Sequence, residues 1–407
     1  MTYKHFDNIK NDFPILNEKI NKKKLIFFDN ASTTQKPKQV IDAFKKYYEK
    51  FNANIKRGSY DLGEIASINY ENTRKKIQKY IGAKHEYECI FTTGTTESIN
   101  LLAHSFGFLL KKDDEIIITN AEHHANIIPW LILSKRKGIK IKIFNIEKNG
   151  KFSLKKLFKM FSSKTKLISV SHISNVIGII NPVKKIIDEA HKFDIPVFLD
   201  GAQAISHIKI DVQDLNCDFY AFSAHKMFGP TGIGLLYGKE KWLEKMPPYK
   251  TGGEMISKLD FRKGIIYRKL PNKFEAGTMP ISSNYAWGSS IDYINQIGIN
   301  NIELYEKNLH DYLYKRLSSI ENIKIIGCND NKISLISFYM QGIHSHDIGY
   351  MLNKYGISIR TGHHCAIPLM KFFNVDSLSR ISLSIYNNKI EIDNLVEILK
   401  KIKKVFK

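Results

Sequence analysis

From about residue 87 the chain alternates short apolar runs with stretches of helical periodicity. Strand-like runs fall at 88–92, 115–119, 139–146, 166–171, 196–200 and 218–223, and helical patterns at 96–106, 126–137 and 183–193. Such alternation predicts an α/β domain with a mainly parallel sheet. Ligands of such a sheet sit at the carboxyl ends of its strands. Further on, a helix at 302–320 precedes strand-like 332–340, helical 346–355, strand-like 357–360 and 379–386, and a terminal helix from Glu391. This mixture predicts a smaller α+β C-terminal domain. The expected division is an N-terminal segment 1–25 packing on the small domain, a large domain at 26–290 and a small domain at 291–407. No internal repeat or low-complexity linker interrupts the pattern.

Composition changes this picture little. Hydrophobic residues at 43% and charged residues at 25% are ordinary for a globular chain. No run of eighteen apolar residues predicts a membrane helix. The polar N-terminus lacks the apolar core of a signal peptide, so a cytoplasmic enzyme is expected. The net charge of +22 invites a nucleic-acid reading. Against it, only eight of the 62 basic residues are Arg, and the Lys are spread along the chain beside abundant Asn and Ile. With no basic region, zinc-finger spacing or RNA-binding signature, no nucleic-acid partner is expected. A basic surface still attracts anionic ligands or an acidic partner protein. The four cysteines form no CxxC pair, which argues against a disulfide framework or a zinc site. Cys89 and Cys217 read as small core residues and Cys328 as a loop residue.

Five short segments carry candidate chemistry. In Ser223-Ala224-His225-Lys226, a lysine follows a strand and precedes glycine-rich turns. A lone lysine is usually a solvated charge. Here Ser223 and His225 offer hydrogen bonds to a phosphate, and the glycines allow close backbone approach. That suits a lysine forming a Schiff base with pyridoxal phosphate. Upstream, Asp200 ends an apolar strand in Leu199-Asp200-Gly201-Ala202-Gln203. Alone it reads as a helix cap; in such a site it is the carboxylate for the pyridine nitrogen, with Gln203 reaching the phenolic oxygen. Phe91-Thr92-Thr93-Gly94-Thr95-Thr96 is a strand, a glycine turn and a helix opening; alone it reads equally as a capped helix without ligand or as an anion site in which Thr95 and Thr96 add donors. In Glu122-His123-His124, adjacent histidines do not readily share one metal, so no metal is expected; a flat imidazole, His123, suits a stacked ring. Asn175 ends another strand at the same edge. Last, Cys365 lies in Ile359-Arg360-Thr361-Gly362-His363-His364-Cys365-Ala366, where an Arg and two His favour a thiolate nucleophile. Arg360 and Arg380 are natural clamps for a substrate carboxylate.

Taken together, these segments resemble the cysteine desulfurases of the class-V aminotransferase, fold-type I group, from Phe28-Asp29-Asn30-Ala31-Ser32 to the terminal helix. The Arg360 to Ala366 stretch is similar to the SUF-type (group II) enzymes, whose cysteine loop is shorter than that of the ISC type. The resemblance implies conversion of L-cysteine to L-alanine, with sulfur passed towards iron–sulfur cluster assembly through a SUF-type acceptor and scaffold. It also implies a selenocysteine lyase side activity. Under it, Lys226 carries the cofactor and shuttles protons, while Asp200, Gln203 and His123 hold the ring. Thr95, Ser223 and His225 bind the phosphate, with Thr96 beside them. Asn175, Arg380 and Arg360 orient the substrate carboxylate. Cys365 takes the sulfur as a persulfide. Thr278, in Phe274-Glu275-Ala276-Gly277-Thr278, reaches the phosphate of a partner subunit, which implies a homodimer. Two segments depart from the family pattern: Lys56 and Tyr60 stand where it has histidines, and Met279 follows Thr278 before Pro280. These departures bear on the entrance, on dimer packing and on rate rather than on reaction type.

Overall fold

The computed structural model describes residue 6 and residues 8–406; residues 1–5 and 7 of the expected N-terminal segment, and residue 407, lie outside the described residues. At its centre is a seven-stranded sheet. Its strands are β1 (Cys89–Thr92), β2 (Glu115–Thr119), β3 (Lys140–Phe144), β4 (Thr165–Ser171), β5 (Val197–Asp200), β6 (Phe219–Ser223) and β7 (Gly234–Gly238). They lie in the order β1-β7-β6-β5-β4-β2-β3, and only β7 runs against the rest. The chain thus has the α/β fold its pattern predicts, with the ends of these elements shifted by a residue or two in either direction.

Alternate residues of the same strands feed two separate cores, as the two-residue period of a strand requires. Ile90, Ile116, Leu167, Phe198 and Phe219 pack on one face, and Phe91, Ile117, Ile168, Leu199 and Tyr220 on the other. Strand β7 escapes the sequence pattern because it opens on Gly234 inside a glycine-rich stretch. A Cβ there would stand 2.5 Å from the Gly94 Cα and 2.6 Å from the Phe222 carbonyl oxygen. Only glycine lets three backbone segments meet at that edge.

The C-terminal part builds a four-stranded antiparallel sheet in the order β8-β9-β11-β10, from β8 (Ile323–Ile325), β9 (Leu335–Met340), β10 (Arg360–Gly362) and β11 (Leu378–Ser382). The single strand expected at 357–360 is two. Ile357–Ser358 pairs in parallel with Ile26–Phe27, whereas β10 pairs with β11. Residues just past the N-terminal segment therefore complete this region: Ile26 and Phe28 join Leu309, Ile336, Ile381 and Leu395 in one apolar cluster. Earlier in that segment, Phe13 packs edge-on against Tyr293 and Tyr386, and Phe6 stacks on Tyr305. Among the described residues no helix is long and apolar enough to cross a membrane.

Candidate active site

The carboxyl ends of β1, β2, β4, β5 and β6 converge on one cavity of about 270 Å³, which the loop after β10 and the start of β11 close from the other side. Of the residues expected to form the site, all but Thr278 line this cavity.

At one end, β1 passes through Gly94 into the helix Thr95–Gly107. The Thr95 N–H donates to Ser223 Oγ at 2.8 Å, and the two hydroxyls lie 2.7 Å apart. Thr96 and His225 complete a rim of donors at a helix N-terminus, an arrangement that favours an anion such as phosphate.

In the middle, Asp200 ends β5 with Oδ1 accepting from the Ala202 N–H at 2.9 Å. Burial raises its pKa, opposed by that N–H and by Lys226. His123 Nδ1 accepts from the Ala125 N–H at 3.1 Å, so a neutral ring carries its proton on Nε2. Burial, then the charges of Lys226, His124 and Arg380, lowers the His123 pKa to about 3. Gln203 Nε2 donates to the Ala31 carbonyl at 2.8 Å. Burial lowers the Lys226 pKa to about 8, with Asp200 pulling it up and Arg380 and Arg360 pulling it down. An amine so placed is far more often unprotonated than an exposed lysine, which is what a nucleophilic lysine needs.

At the other end, Arg380 is buried on β11. Its Nη1 donates to the Asn175 carbonyl at 2.8 Å and its Nη2 to Asp29 Oδ1 at 3.2 Å. Its Nε is buried without a partner among the described residues. Burial brings its pKa down to about 10 despite Asp29. Arg360 Nε reaches the other oxygen of Asp29 at 3.2 Å, and Ser32 Oγ donates to that same oxygen at 2.6 Å. The Asn175 amide donates to the His364 carbonyl at 2.8 Å, tying the clamp to the cysteine loop.

Cys365 stands in that loop, where only residues 363–366 separate β10 from the helix Ile367–Phe373. His364 and Cys365 have φ of 50° and 55°, a left-handed conformation that non-glycine residues hold only under constraint. The Cys365 N–H donates to His363 Nδ1 at 3.1 Å and its carbonyl accepts from the His124 N–H at 2.7 Å. His364 Nε2 donates to the Leu378 carbonyl at 3.2 Å.

Thr278 is exposed and outside the cavity, with the Asn54 amide 3.4 Å from its hydroxyl. The same segment is anchored through Glu275, which is wholly buried against Arg74 at 2.7 Å and accepts from the Phe91 N–H of β1 at 2.9 Å. Lys56, one of the departures, lies 3.6 Å from Glu275 and 2.5 Å from Asn272 Oδ1, adding a second cation to that carboxylate. Tyr60, the other, is exposed at the start of the helix Asp61–Tyr80, and Met279 is half-buried.

Sequence reasoning did not single out Asp29, His124 or Ser171. Asp29 was visible in the Phe28 to Ser32 stretch, but its arginine partners lie more than three hundred residues away.

The donor set fits pyridoxal phosphate: hydroxyls at a helix start, a buried carboxylate, a neutral imidazole, an amine of lowered pKa and a buried guanidinium with a free Nε. The aminotransferase class-V family model matches residues 26–395. The chain belongs to that family of pyridoxal-phosphate enzymes. Within it, several of the similar proteins are cysteine desulfurases. One from Wigglesworthia glossinidia brevipalpis is 46% identical over 97% of each chain. A probable cysteine desulfurase of Halalkalibacterium halodurans is 44% identical over 98% of each. Among solved structures, the apo cysteine desulfurase of Thermococcus onnurineus NA1 superposes with a TM-score of 0.93 at 33% identity, covering 98% of both chains. The Escherichia coli cysteine desulfurase CsdA gives 0.91 at 31% identity, again over 98% of both.

Proposed function

We propose that this enzyme is a cysteine desulfurase of the SUF type, converting L-cysteine to L-alanine and holding the sulfur as a persulfide on Cys365. The observation that carries the reading is the placement of Cys365, Lys226 and Arg380 around one cavity. Bound pyridoxal phosphate supplies the electron sink that makes the bonds at the substrate α- and β-carbons breakable. The protein does the rest. Asp200 would pair with the pyridine nitrogen and the neutral His123 ring would hold the cofactor ring. Arg380, with Arg360 and Asn175, orients the substrate α-carboxylate. The Lys226 amine takes and returns the α-proton. The Cys365 thiolate attacks the substrate sulfur: an S–S bond forms as the Cβ–S bond breaks, and the carbon keeps that electron pair and gains a proton. The balance is L-cysteine plus thiol giving L-alanine plus persulfide, with no outside oxidant.

Support for the SUF assignment is the short span between β10 and the next helix, which leaves Cys365 little travel. We infer from it slow turnover until an acceptor protein removes the sulfur for cluster assembly; the selenocysteine side activity rests on the resemblance to SUF-type enzymes alone. The exposed Thr278 supports a homodimer in which it meets the partner's phosphate site. The reading also divides the chain at 26–290 and 291–407, with 1–25 on the small domain. Alanine release from L-cysteine, with and without a thiol acceptor, in wild type and Cys365→Ala, tests it. Loss of alanine in the variant is expected; full turnover there would point instead to another class-V lyase, selenocysteine-specific or kynureninase-like.

A further inference from the structure

His124 lies next to His123 but does not line the cavity, and its main-chain N–H and its imidazole both bond to the cysteine loop. Its main-chain N–H donates to the Cys365 carbonyl at 2.7 Å. Its imidazole Nε2 accepts from the Ile367 N–H at 3.1 Å. The two bonds hold the chain at Cys365 itself and two residues beyond it. We propose that His124 is a positioning residue that straps the Cys365 loop in its left-handed conformation and so aims the thiol at the substrate sulfur. The proposal rests on the reading that Cys365 takes the sulfur.

Three further observations support a strap rather than chance contact. Two consecutive non-glycine residues with φ of 50° and 55° do not hold that shape unaided. The His363 ring lies 5.7 Å from His124, and its Nδ1 accepts from the Cys365 N–H, so two imidazoles receive the N–H groups of residues 365 and 367. An accepting Nε2 must be unprotonated, and burial, then the nearby His363, lowers the His124 pKa. The other imidazole facing it is His123, with ring centres 6.4 Å apart.

The test compares His124→Ala and His124→Gln in the full-length, cofactor-loaded enzyme. Glutamine keeps an oxygen where Nε2 stood, and either variant keeps the main-chain bond to Cys365. In the alanine variant, the visible absorption of the lysine-bound cofactor and the KM for L-cysteine stay as in wild type. Single-turnover alanine formation falls about tenfold, the worth of one lost hydrogen bond. Amide exchange at residue 367, read on the apoprotein as well, quickens by about the same factor. Glutamine restores both to within about threefold. Wild-type rates and exchange in His124→Ala overturn the inference, as does an equal loss in both variants. Cys365→Ala, run in parallel, separates the two claims. If it still makes alanine at full rate, the sulfur-accepting role fails; if it is inactive while His124→Ala is unimpaired, only the strap fails.

Discussion

Asp29 and Arg380 sit 3.2 Å apart beside the cavity that Cys365 also lines, and Arg380 is almost completely buried. Asp29 is the one carboxylate within ion-pair distance of that guanidinium among the described residues, and it shares its second oxygen with Arg360 and Ser32. Removing one partner of a buried pair costs more than the pair contributes, because a bare charge stays behind. Asp29→Ala should therefore lower stability by about 3 kcal/mol, read from denaturant unfolding. Saturating L-alanine should recover part of that loss, because its carboxylate supplies the missing anion. A variant as stable as wild type would show that Arg380 is solvated in place.

The Lys226 amine carries a stability consequence of the opposite kind. Its pKa is about 8 when folded against 10.5 for an ordinary lysine, so the folded state disfavours the charged form. Below about pH 8 both states are protonated and the full penalty is present; between there and 10.5 the unfolded chain holds the proton longer, so stability rises with pH. Lys226→Met should stabilise the apoprotein at pH 7 by about 2 kcal/mol, with the gap closing as pH rises. Thermal unfolding at a series of pH values reads both.

His123 should not titrate in the working range. With its pKa lowered to about 3, its imidazole stays neutral and keeps its proton on Nε2. Nitrogen NMR of the ring should show one unchanging tautomer from about pH 5 to 8, where an ordinary histidine changes charge. A shift tracking an ordinary imidazole would mean that the ring is solvated.

Glu275 anchors the segment that ends at Thr278. Its carboxylate faces Arg74 and the Phe91 N–H, all buried, and the Arg74 charge holds its pKa below the usual carboxylate range despite burial. Glu275→Ala should cost about 3–5 kcal/mol. Glu71, a half-exposed partner of the same arginine, should cost less than about 1 kcal/mol when replaced by alanine. Equal effects from the two would contradict the burial argument.

What could be read from the chain alone follows from how each residue announces itself. Asp200, Ser223 and Lys226 end or follow apolar strands, and a parallel sheet puts such ends on one edge, so linear order predicted their meeting. Asp29 and His124 could not be found that way. Asp29 matters because Ile26–Phe27 pairs with Ile357–Ser358 far along the chain. His124 matters through its contacts with a loop more than two hundred residues away, and its neighbour His123 drew the attention. Strand β7 was hidden by its opening glycine, and the split at 357–360 by a continuous β-like pattern that serves two sheets. Thr278 was expected to contact phosphate only across subunits, and within one chain it stands apart from the cavity.

The Glu275 carboxylate joins two pieces of chain that would otherwise move independently. On one side is the edge strand that ends at the Thr95 cradle; on the other is the segment whose tip is the exposed Thr278. One buried carboxylate thus ties the outer segment to the strand that leads into the helix Thr95–Gly107. A displacement of the turn at Thr278 has to be met either by Ala276 and Gly277, which separate it from Glu275, or by the edge strand itself.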